Sequence, residues 1–367
     1  MKRYGFLYKK ICSIENCKLA ILEAAQSKKK RRRVKRILDD VDRYAEKLSE
    51  MLRNHEYSPN PYSVRYINDG IKEKRRRLAR PNFWPDQCVH KALDRVMAPI
   101  FTKKLYPYCT GSIKGRGGQC SKRGLELYRK RHPDKAKYVY KSDVHHCYDS
   151  IPHDRLKASL RRLVKDKEVL WLFDLIIDSY PKLARVKGEE PMPEDKGIPI
   201  GIDPARWLCN YYLSDLEWRA KRFLGKGYFI TRYVDDTVIS GPNKRRIHRV
   251  AVLFAGWLKE KCLEVKRNWQ VFKWASRPID FLGFKFYKDK TTIRKTILKR
   301  IKRKLQKTKE GPKIAYRIAT GLMSYVGYLK NSNSQHFREE YIDKKDISLK
   351  KVRKVVSHYE RTIQRAA

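Results

Sequence analysis

The chain has 367 residues, and 87 Lys and Arg against 40 Asp and Glu give it a formal net charge of +47. At roughly 150 residues per domain, this length predicts two or three structural units. The hydrophobic fraction of 41% is enough for a packed core and excludes wholesale disorder. So large a charge repels itself unless a polyanion neutralises it, and the sequence has neither a bilayer-spanning apolar run nor a signal peptide. Nucleic acid is therefore the expected partner, with no membrane.

Basic helices are predicted for residues 1–60. Eight of the nine residues from Lys28 to Arg36 are basic, and apolar residues at helical spacing follow from Ile37 to Leu52. We expect this run, with Lys28 and Arg31, to contact nucleic-acid phosphates, although a solvated helix face is the alternative. The eight cysteines show no C-x-x-C spacing, which disfavours a zinc module. Because no secretory signal is recognised, they are expected to be reduced thiols in a cytoplasm.

The middle of the chain alternates between strand-like and helical patterns. Residues 62–80 are strand-like, Pro81 to Phe101 is predicted to be helical, and Gly111 to Gly118 is a glycine-rich basic loop. A strand is predicted from Val139 to Asp143. Further predictions are helices over 154–182, 205–223 and 244–262, a loop over 186–196, a tight turn over 197–201 and a strand pair over 279–287.

Two short strings carry the chemistry. The β-rich runs 228–233 and 237–240 flank Val234-Asp235-Asp236, which predicts a hairpin with two acids at its tip. A second strand delivers Asp143. Clustered carboxylates repel one another unless cations are present, and oxygen ligands of this kind favour pairs of Mg²⁺ ions in phosphoryl transfer. The alternative is that Asp235 and Asp236 form a surface turn and Asp143 caps a helix.

The ordered set of motifs resembles bacterial reverse transcriptases. Tyr233-Val-Asp-Asp236 resembles their catalytic motif, the Asp143 strand their first catalytic motif, and the segment 281–286 (FLGFKF) their primer-grip hairpin. Residues 196–213 resemble the loop and helix that pack on template and incoming nucleotide, and residues 75–93 a finger segment. The resemblance covers roughly residues 60–330. It implies an α+β right-hand polymerase fold with a basic helical N-terminal extension (1–60), fingers (61–140), a palm with an antiparallel sheet and finger insertions (141–287) and a basic helical thumb and tail (288–367).

The resemblance also implies site residues. Asp143, Asp235 and Asp236 are the expected catalytic and metal-binding acids, with the carbonyl of Val144 as a further ligand to two Mg²⁺ ions, which Mn²⁺ can replace. Tyr148 is the expected steric gate against a ribose 2′-hydroxyl, with an ordinary core aromatic as the alternative. The residues expected at the triphosphate and the templating pair are Arg75, Arg77, Lys114, Arg116, Ile200 and Gly201. The candidates for the general acid are Lys266 and Lys273. The thumb helix is expected to have an apolar stripe formed by Ile293, Ile297, Ile301 and Leu305. Its residues expected to contact phosphates are Arg294, Lys295, Lys299 and Arg303.

The sequence departs from the family pattern in two places. Ile113-Lys114 stands where bacterial enzymes usually carry Arg-Pro, so Lys114 or Arg116 must serve there. Ala205-Arg206 replaces the Ser-Gln of diversity-generating retroelement enzymes, which changes the surface expected to face the templating pair. The resemblance is therefore to these enzymes and to defence-associated (unknown-group) reverse transcriptases, with the second group preferred.

The resemblance implies an RNA-directed DNA polymerase that copies a dedicated non-coding RNA in bacterial antiphage defence. Its partners would be that RNA, deoxynucleoside triphosphates and the DNA product, with an accessory protein from the same operon and homo-oligomerisation left open. The alternatives are a diversity-generating retroelement enzyme, untemplated or protein-primed DNA synthesis, and a non-enzymatic RNA-binding scaffold with a polymerase fold.

Overall fold

The computed structural model describes residues 3–68, 75–179, 193–308, 315–344 and 348–365. Helices and sheets are mixed, which confirms the α+β class. The chain divides into two compact units, the first containing residues 1–125 and 140–271 and the second residues 126–139 and 272–367. Within the described ranges, no helix is both long and apolar enough to cross a bilayer.

The first unit opens with helices and a hairpin, as the patterns predict. Its leading elements are α1 (Tyr8–Ile11), α2 (Ile14–Ala24), α3 (Arg32–Asp39), α4 (Val41–Arg53), β1 (Ser63–Asn68), β2 (Arg75–Arg80), a π-helical turn (Phe83–Gln87) and α5 (Cys88–Lys104). The antiparallel β1 and β2 pair Ser63 with Arg80 and Asn68 with Arg75.

The chain continues through the elements that build the central sheet. These elements are α6 (Gly117–Arg131), β3 (Tyr138–Asp143), α7 (Cys147–Ser150), α8 (His153–Leu163), α9 (Lys167–Ile177), α10 (Asp203–Tyr212), α11 (Ser214–Leu224), β4 (Phe229–Tyr233), β5 (Asp236–Gly241), α12 (Lys244–Lys259) and β6 (Gln270–Lys273). The sheet has the order β4-β5-β3-β6, so the acid-bearing hairpin lies beside the Asp143 strand.

Apolar periodicity explains how α12 covers this sheet. Its buried residues Ile247, Val250, Phe254 and Leu258 recur at helical spacing. The ring of Phe254 meets that of the fully buried Tyr140 on β3 edge-on, with centroids 5.9 Å apart. This packing holds β3, and therefore the start of the Asp143 segment, against a rigid helix.

Two segments that were each predicted to form one helix form two helices in the structure. The helix expected over 205–223 is two helices, α10 and α11, with Leu213 between them. The helix expected over 154–182 is α8 and α9, interrupted at 164–166, where the Asp166 carboxylate accepts backbone N–H bonds from Leu7 at 2.5 Å and Tyr8 at 3.2 Å. A long-range polar contact therefore breaks a pattern that reads as continuous in the sequence. Residues 180–182 and most of the expected loop over 186–196 lie outside the described residues.

The second unit contains the expected strand pair and the basic helices. Its elements from residue 279 are β7 (Ile279–Phe281), β8 (Phe284–Phe286), β9 (Thr291–Ile293), α13 (Lys295–Lys307), α14 (Tyr316–Lys330), α15 (Gln335–Arg338), a π-helical turn (Glu339–Asp343) and α16 (Leu349–Arg365). Leu282 and Gly283 turn the β7–β8 hairpin with φ of 55° and 83°. A Cβ at Gly283 would lie 2.7 Å from Ile297 Cδ1, and the positive φ also favours glycine there.

The apolar stripe of the predicted thumb helix is confirmed. Ile293, Ile297, Ile301 and Leu305 are all buried in one core with residues of α14 and α16. The i, i+4 spacing along α13 places its apolar residues on one face. Its basic residues therefore project to the other side.

Candidate active site

The β4–β5 turn is the centre of the site. Tyr233 pairs with Asp236 across the hairpin, so Val234 and Asp235 form a two-residue turn. Val234 has a φ of 60°, an unfavourable value for a β-branched residue. Gly111 packs beneath the turn, and a Cβ there would lie 2.5 Å from Val234 N. The glycine of the basic loop is thus required by the close approach of the β4–β5 turn.

Asp143 and Asp235 are brought together across the sheet. The N–H of Val144 donates to the carbonyl of Asp235 at 3.3 Å, which joins the turn to the end of β3. Burial, together with the neighbouring Asp143 carboxyl, raises the pKa of Asp235 to about 6. Neighbouring carboxylates repel one another, and a cation bound between them relieves that repulsion. The prediction that these two acids converge is therefore supported by the geometry.

Lys266 lies against the same carboxyl group. Its Nζ pairs with Asp143 Oδ2, and its N–H donates to the Asp143 carbonyl at 2.8 Å. Asp143 Oδ1 is buried and has no hydrogen-bond partner among the described residues. A buried carboxylate oxygen of this kind has capacity for a further positive ligand. Of the two lysines considered as general acids, Lys266 touches an acid of the site, whereas Lys273 is exposed at the end of β6.

The third acid, Asp236, opens β5. Its Oδ1 lies 4.0 Å from Lys141 Nζ on the neighbouring β3. The described part of the chain contains no group of three or more His, Cys, Asp or Glu side chains assembled to hold a metal ion. The residues nevertheless fit a hard cation, because the donors are carboxylate and carbonyl oxygens and one of them, Asp143 Oδ1, is buried without a partner.

A buried polar network supports the turn, and the sequence reasoning missed it. The side chains of Arg232 and Glu217 are both completely buried, and Arg232 Nε donates to Glu217 Oε1 at 2.7 Å. Arg232 Nη1 donates to the Val234 carbonyl at 2.6 Å and to Asn210 Oδ1 at 3.2 Å. Burial raises the pKa of Glu217, although Arg232 opposes the shift. The signal available in the sequence was Arg232, a charged residue within a β-rich run.

The predicted steric gate and the tight turn lie next to one another. Tyr148 is half-buried, and its carbonyl accepts the N–H of Ile198 at 2.8 Å. Burial raises the pKa of the Tyr148 phenol, which therefore stays protonated. At the other end of the turn, Ile200 O accepts the N–H of Ala79 at 2.7 Å, and Gly201 has a φ of 115°. A Cβ at Gly201 would lie 2.4 Å from Ala79 O, so glycine permits this approach.

The basic residues expected at the triphosphate are placed differently from one another. Arg77 lies on β2, two residues before the Ala79 contact, whereas the side chain of Arg75 lies outside the described residues. Lys114 is exposed on the glycine-rich loop. Arg116 Nη1 donates to the carbonyls of Tyr106 at 2.9 Å and Cys109 at 3.2 Å, which gives its guanidinium a role in holding the chain's own backbone.

The departure at Ala205-Arg206 has a structural consequence. Arg206 Nη2 pairs with Asp94 Oδ2 on α5 at 3.0 Å, and Ala205 is buried. Burial raises the pKa of Asp94 to about 7, and Arg206 opposes that shift. Arg206 is thus directed to a buried carboxyl of α5.

The residues expected to contact phosphates also divide into exposed and engaged groups. Lys28 is half-buried and donates from Nζ to the Ala24 carbonyl at 3.0 Å and to Gln87, whereas Arg31 is exposed. Lys28 is therefore not on the open face of the basic run. In the second unit, Arg294 Nε donates to Asp280 Oδ1 at 2.8 Å. The exposed members of the α13 set are Lys295, Lys299 and Arg303.

Comparisons with known proteins identify a family and similar solved structures. The model of the family described as "Reverse transcriptase (RNA-dependent DNA polymerase)" matches residues 71–286. The chain is similar to a telomerase from Candida albicans solved with a fragment of telomeric RNA, at 12% identity and a TM-score of 0.52, over 83% of this chain and 62% of that one. A C-terminally truncated apo telomerase from Candida tropicalis gives 13% identity and a TM-score of 0.47, over 64% of this chain and 56% of that one. The chain thus spans less than two thirds of either telomerase. No curated protein is matched.

Proposed function

The chain belongs to the reverse transcriptase family and has its right-hand polymerase fold, and from this premise we propose that it is an RNA-directed DNA polymerase. The observation that carries the proposal is the pairing of Asp143 with Asp235 at the sheet edge. Burial and mutual repulsion raise the pKa of Asp235, and Asp143 Oδ1 is buried without a partner among the described residues. A site built this way gains stability from a divalent cation.

Asp143, Asp235 and the carbonyl of Val144 would hold the metal ions, with Asp236 as the further acid. When bound, two Mg²⁺ ions promote ionisation of the attacking 3′-hydroxyl and neutralise charge on the transferred phosphoryl group. Lys266 holds the Asp143 carboxylate in the structure and would be freed when that carboxylate takes a cation. It is then the nearer candidate to protonate the leaving pyrophosphate, with Lys273 as the alternative.

Tyr148 would select the deoxyribose sugar. Its backbone is held by the turn that carries Ile200 and Gly201, so the ring is positioned relative to the expected nucleotide surface. Arg77 and the exposed Lys114 would meet the triphosphate, with Arg75 two residues before Arg77 in the sequence. Arg116 remains a prediction for this role, although its guanidinium supports the backbone in the structure described above.

The RNA template and DNA product would lie on basic surfaces. The exposed Lys295, Lys299 and Arg303 on α13, and Arg31 in the N-terminal run, are suited to phosphate contacts. Such contacts follow duplex shape without reading sequence.

The biological role that we propose is copying of a dedicated non-coding RNA in bacterial antiphage defence, in a cytoplasmic complex with an accessory protein. The second candidate is a diversity-generating retroelement enzyme. The diversion of Arg206 to Asp94 favours the defence group, because the surface near Ala205 then differs from the Ser-Gln pattern. The same departure keeps untemplated or protein-primed synthesis as an alternative.

The test is primer extension on an RNA template with deoxynucleotides and Mg²⁺. Asp235→Asn and Asp143→Asn are expected to reduce incorporation at least about 10³-fold because charge stabilisation of the transferred group is lost. Asp154→Asn is the matched control, since Asp154 is exposed on α8 and its side chain is 77% accessible. RNA affinity should be unchanged in all three variants. Full incorporation by the Asp235 and Asp143 variants would refute the assignment of these acids, whereas no incorporation by the wild-type protein would favour the RNA-binding scaffold.

A further inference from the structure

A pocket of about 710 Å³ lies in the first unit, and none of its lining residues belongs to the active site described above. The N-terminal segment, the end of α5, α8, the α10–α11 junction and the residues after α12 form its walls. Its volume falls within the range of pockets that hold small ligands, about 300–1,000 Å³. The charged and aromatic residues that line it include Arg3, Lys104, Arg162, Lys261, Asp215 and Trp218.

The charge of this pocket favours an anion. Asp215 is its one carboxylate among the lining residues, and Lys261 Nζ already neutralises it at 2.8 Å. Within the described ranges, no carboxylate lies at ion-pair distance from Arg3, Lys104 or Arg162. Arg3 donates instead to the Val164 carbonyl at 3.0 Å. Three cations therefore line a concave surface without a protein counter-charge, which is the electrostatic pattern of a phosphate-binding site.

Trp218 distinguishes this pocket from the rest of a very basic surface. All seven tryptophans lie in the described part of the chain, and Trp218 alone is exposed, with 43% of its surface accessible. Its Nε1 donates to the Lys104 carbonyl at 3.2 Å, and the ring of Tyr106 packs edge-on at 5.0 Å. The indole is thus held by its polar edge and by one neighbour, and a large part of its ring surface remains accessible.

An accessible indole beside cations that have no carboxylate partner among the described residues matches the chemistry of an unpaired nucleotide. Bases stack on aromatic faces, and arginine and lysine neutralise the flanking phosphates. A paired duplex offers phosphates but keeps its base faces stacked inside. We propose that the pocket around Trp218 binds an unpaired nucleotide of a nucleic-acid strand, outside the polymerase active site.

The test is photo-crosslinking of the full chain to a 12-nucleotide strand carrying 4-thiouridine or 4-thiothymidine, as single-stranded RNA and as single-stranded DNA. Cross-linked peptides are then mapped by mass spectrometry. We expect cross-links in α11 and around Arg162 with RNA, DNA or both. The strand that reacts shows whether the bound nucleotide belongs to RNA or to DNA. Trp218→Ala combined with Arg162→Gln should reduce this yield about tenfold, the effect of losing one base–aromatic stack.

The matched control is Lys244→Gln, which removes one charge from the exposed start of α12 and should leave the α11 cross-links intact. Circular dichroism of each variant shows whether it is folded. The proposal is overturned if folded wild-type protein cross-links elsewhere but not in this pocket. It is also overturned if the same strand annealed into a blunt duplex cross-links there equally well, since the pocket would then bind only phosphates. The assay needs no polymerisation and can be repeated in Asp235→Asn, so its result is independent of the proposed activity.

Discussion

Replacing Arg232 with methionine is expected to destabilise the protein and to displace the turn that carries Asp235. Arg232 and Glu217 are fully buried, and the guanidinium also donates to Asn210 and to the Val234 carbonyl. Removing one partner of a buried ion pair leaves the other charge uncompensated, at a cost of about 3–5 kcal/mol. The free energy of unfolding should fall by that amount in Arg232→Met and similarly in Glu217→Leu.

The double variant separates stability from positioning. With both charges gone, most of the penalty should be recovered, because an apolar pair of similar volume is often as stable as a buried ion pair. The Val234 carbonyl still loses its 2.6 Å donor. The turn that carries Asp235 is then less constrained, and a displacement near 1 Å at reacting groups costs about 10²-fold in rate. We therefore expect a folded double variant with extension about 10²-fold slower.

Urea unfolding and primer extension measure the two quantities on the same preparations. Arg161→Met is the matched control, because Arg161 forms an exposed ion pair with Asp174 at 2.8 Å and such pairs contribute at most about 1 kcal/mol. A double variant that extends primers at the wild-type rate would refute the positioning role and leave Arg232 with charge compensation alone. Double-variant stability as low as that of the single variants would refute the argument from the buried pair.

Three further predictions concern other parts of the first unit and the general acid. Lys266→Met should lower the extension rate by about 10²–10⁴-fold if Lys266 is the general acid, whereas the same result for Lys273→Met alone would reassign that role. Burial lowers the pKa of His90 to about 4, so the neutral ring is favoured in the fold and stability is lost as the pH falls from 6.5 to 4. In urea unfolding, the free energy of unfolding of the wild type should fall by up to about 3 kcal/mol over that pH range relative to His90→Leu. The same pH dependence in both proteins would contradict the prediction. Gly201→Ala should lower the melting temperature more than Gly225→Ala, because both have positive φ but only the first meets a backbone oxygen, at 2.4 Å; equal shifts would mean that the close approach is not required.

The secondary structure that places the main acids was predictable from local patterns. The strand ending at Asp143 and the hairpin carrying Asp235 follow from short β-rich runs and a polar tip. The buried stripe of α13 follows equally from i, i+4 spacing. These features depend on residues near one another in the chain, so the sequence contains the information in readable form. The helix breaks at Leu213 and at 164–166 were not predicted. The second break depends on a hydrogen bond from the Leu7 backbone to Asp166, which are far apart in the sequence.

By itself, the sequence determined the charge and the order of the motifs, and it predicted the class of partner and the acids of the site. Only the tertiary structure decided which side chains they meet. Lys266 reaches Asp143 from 123 residues away, Arg232 pairs with Glu217 beneath the turn, and Lys28 is drawn into hydrogen bonds with Gln87. The physical reason is that burial and pairing are properties of packed surfaces, and residue spacing along the chain does not specify which surfaces meet.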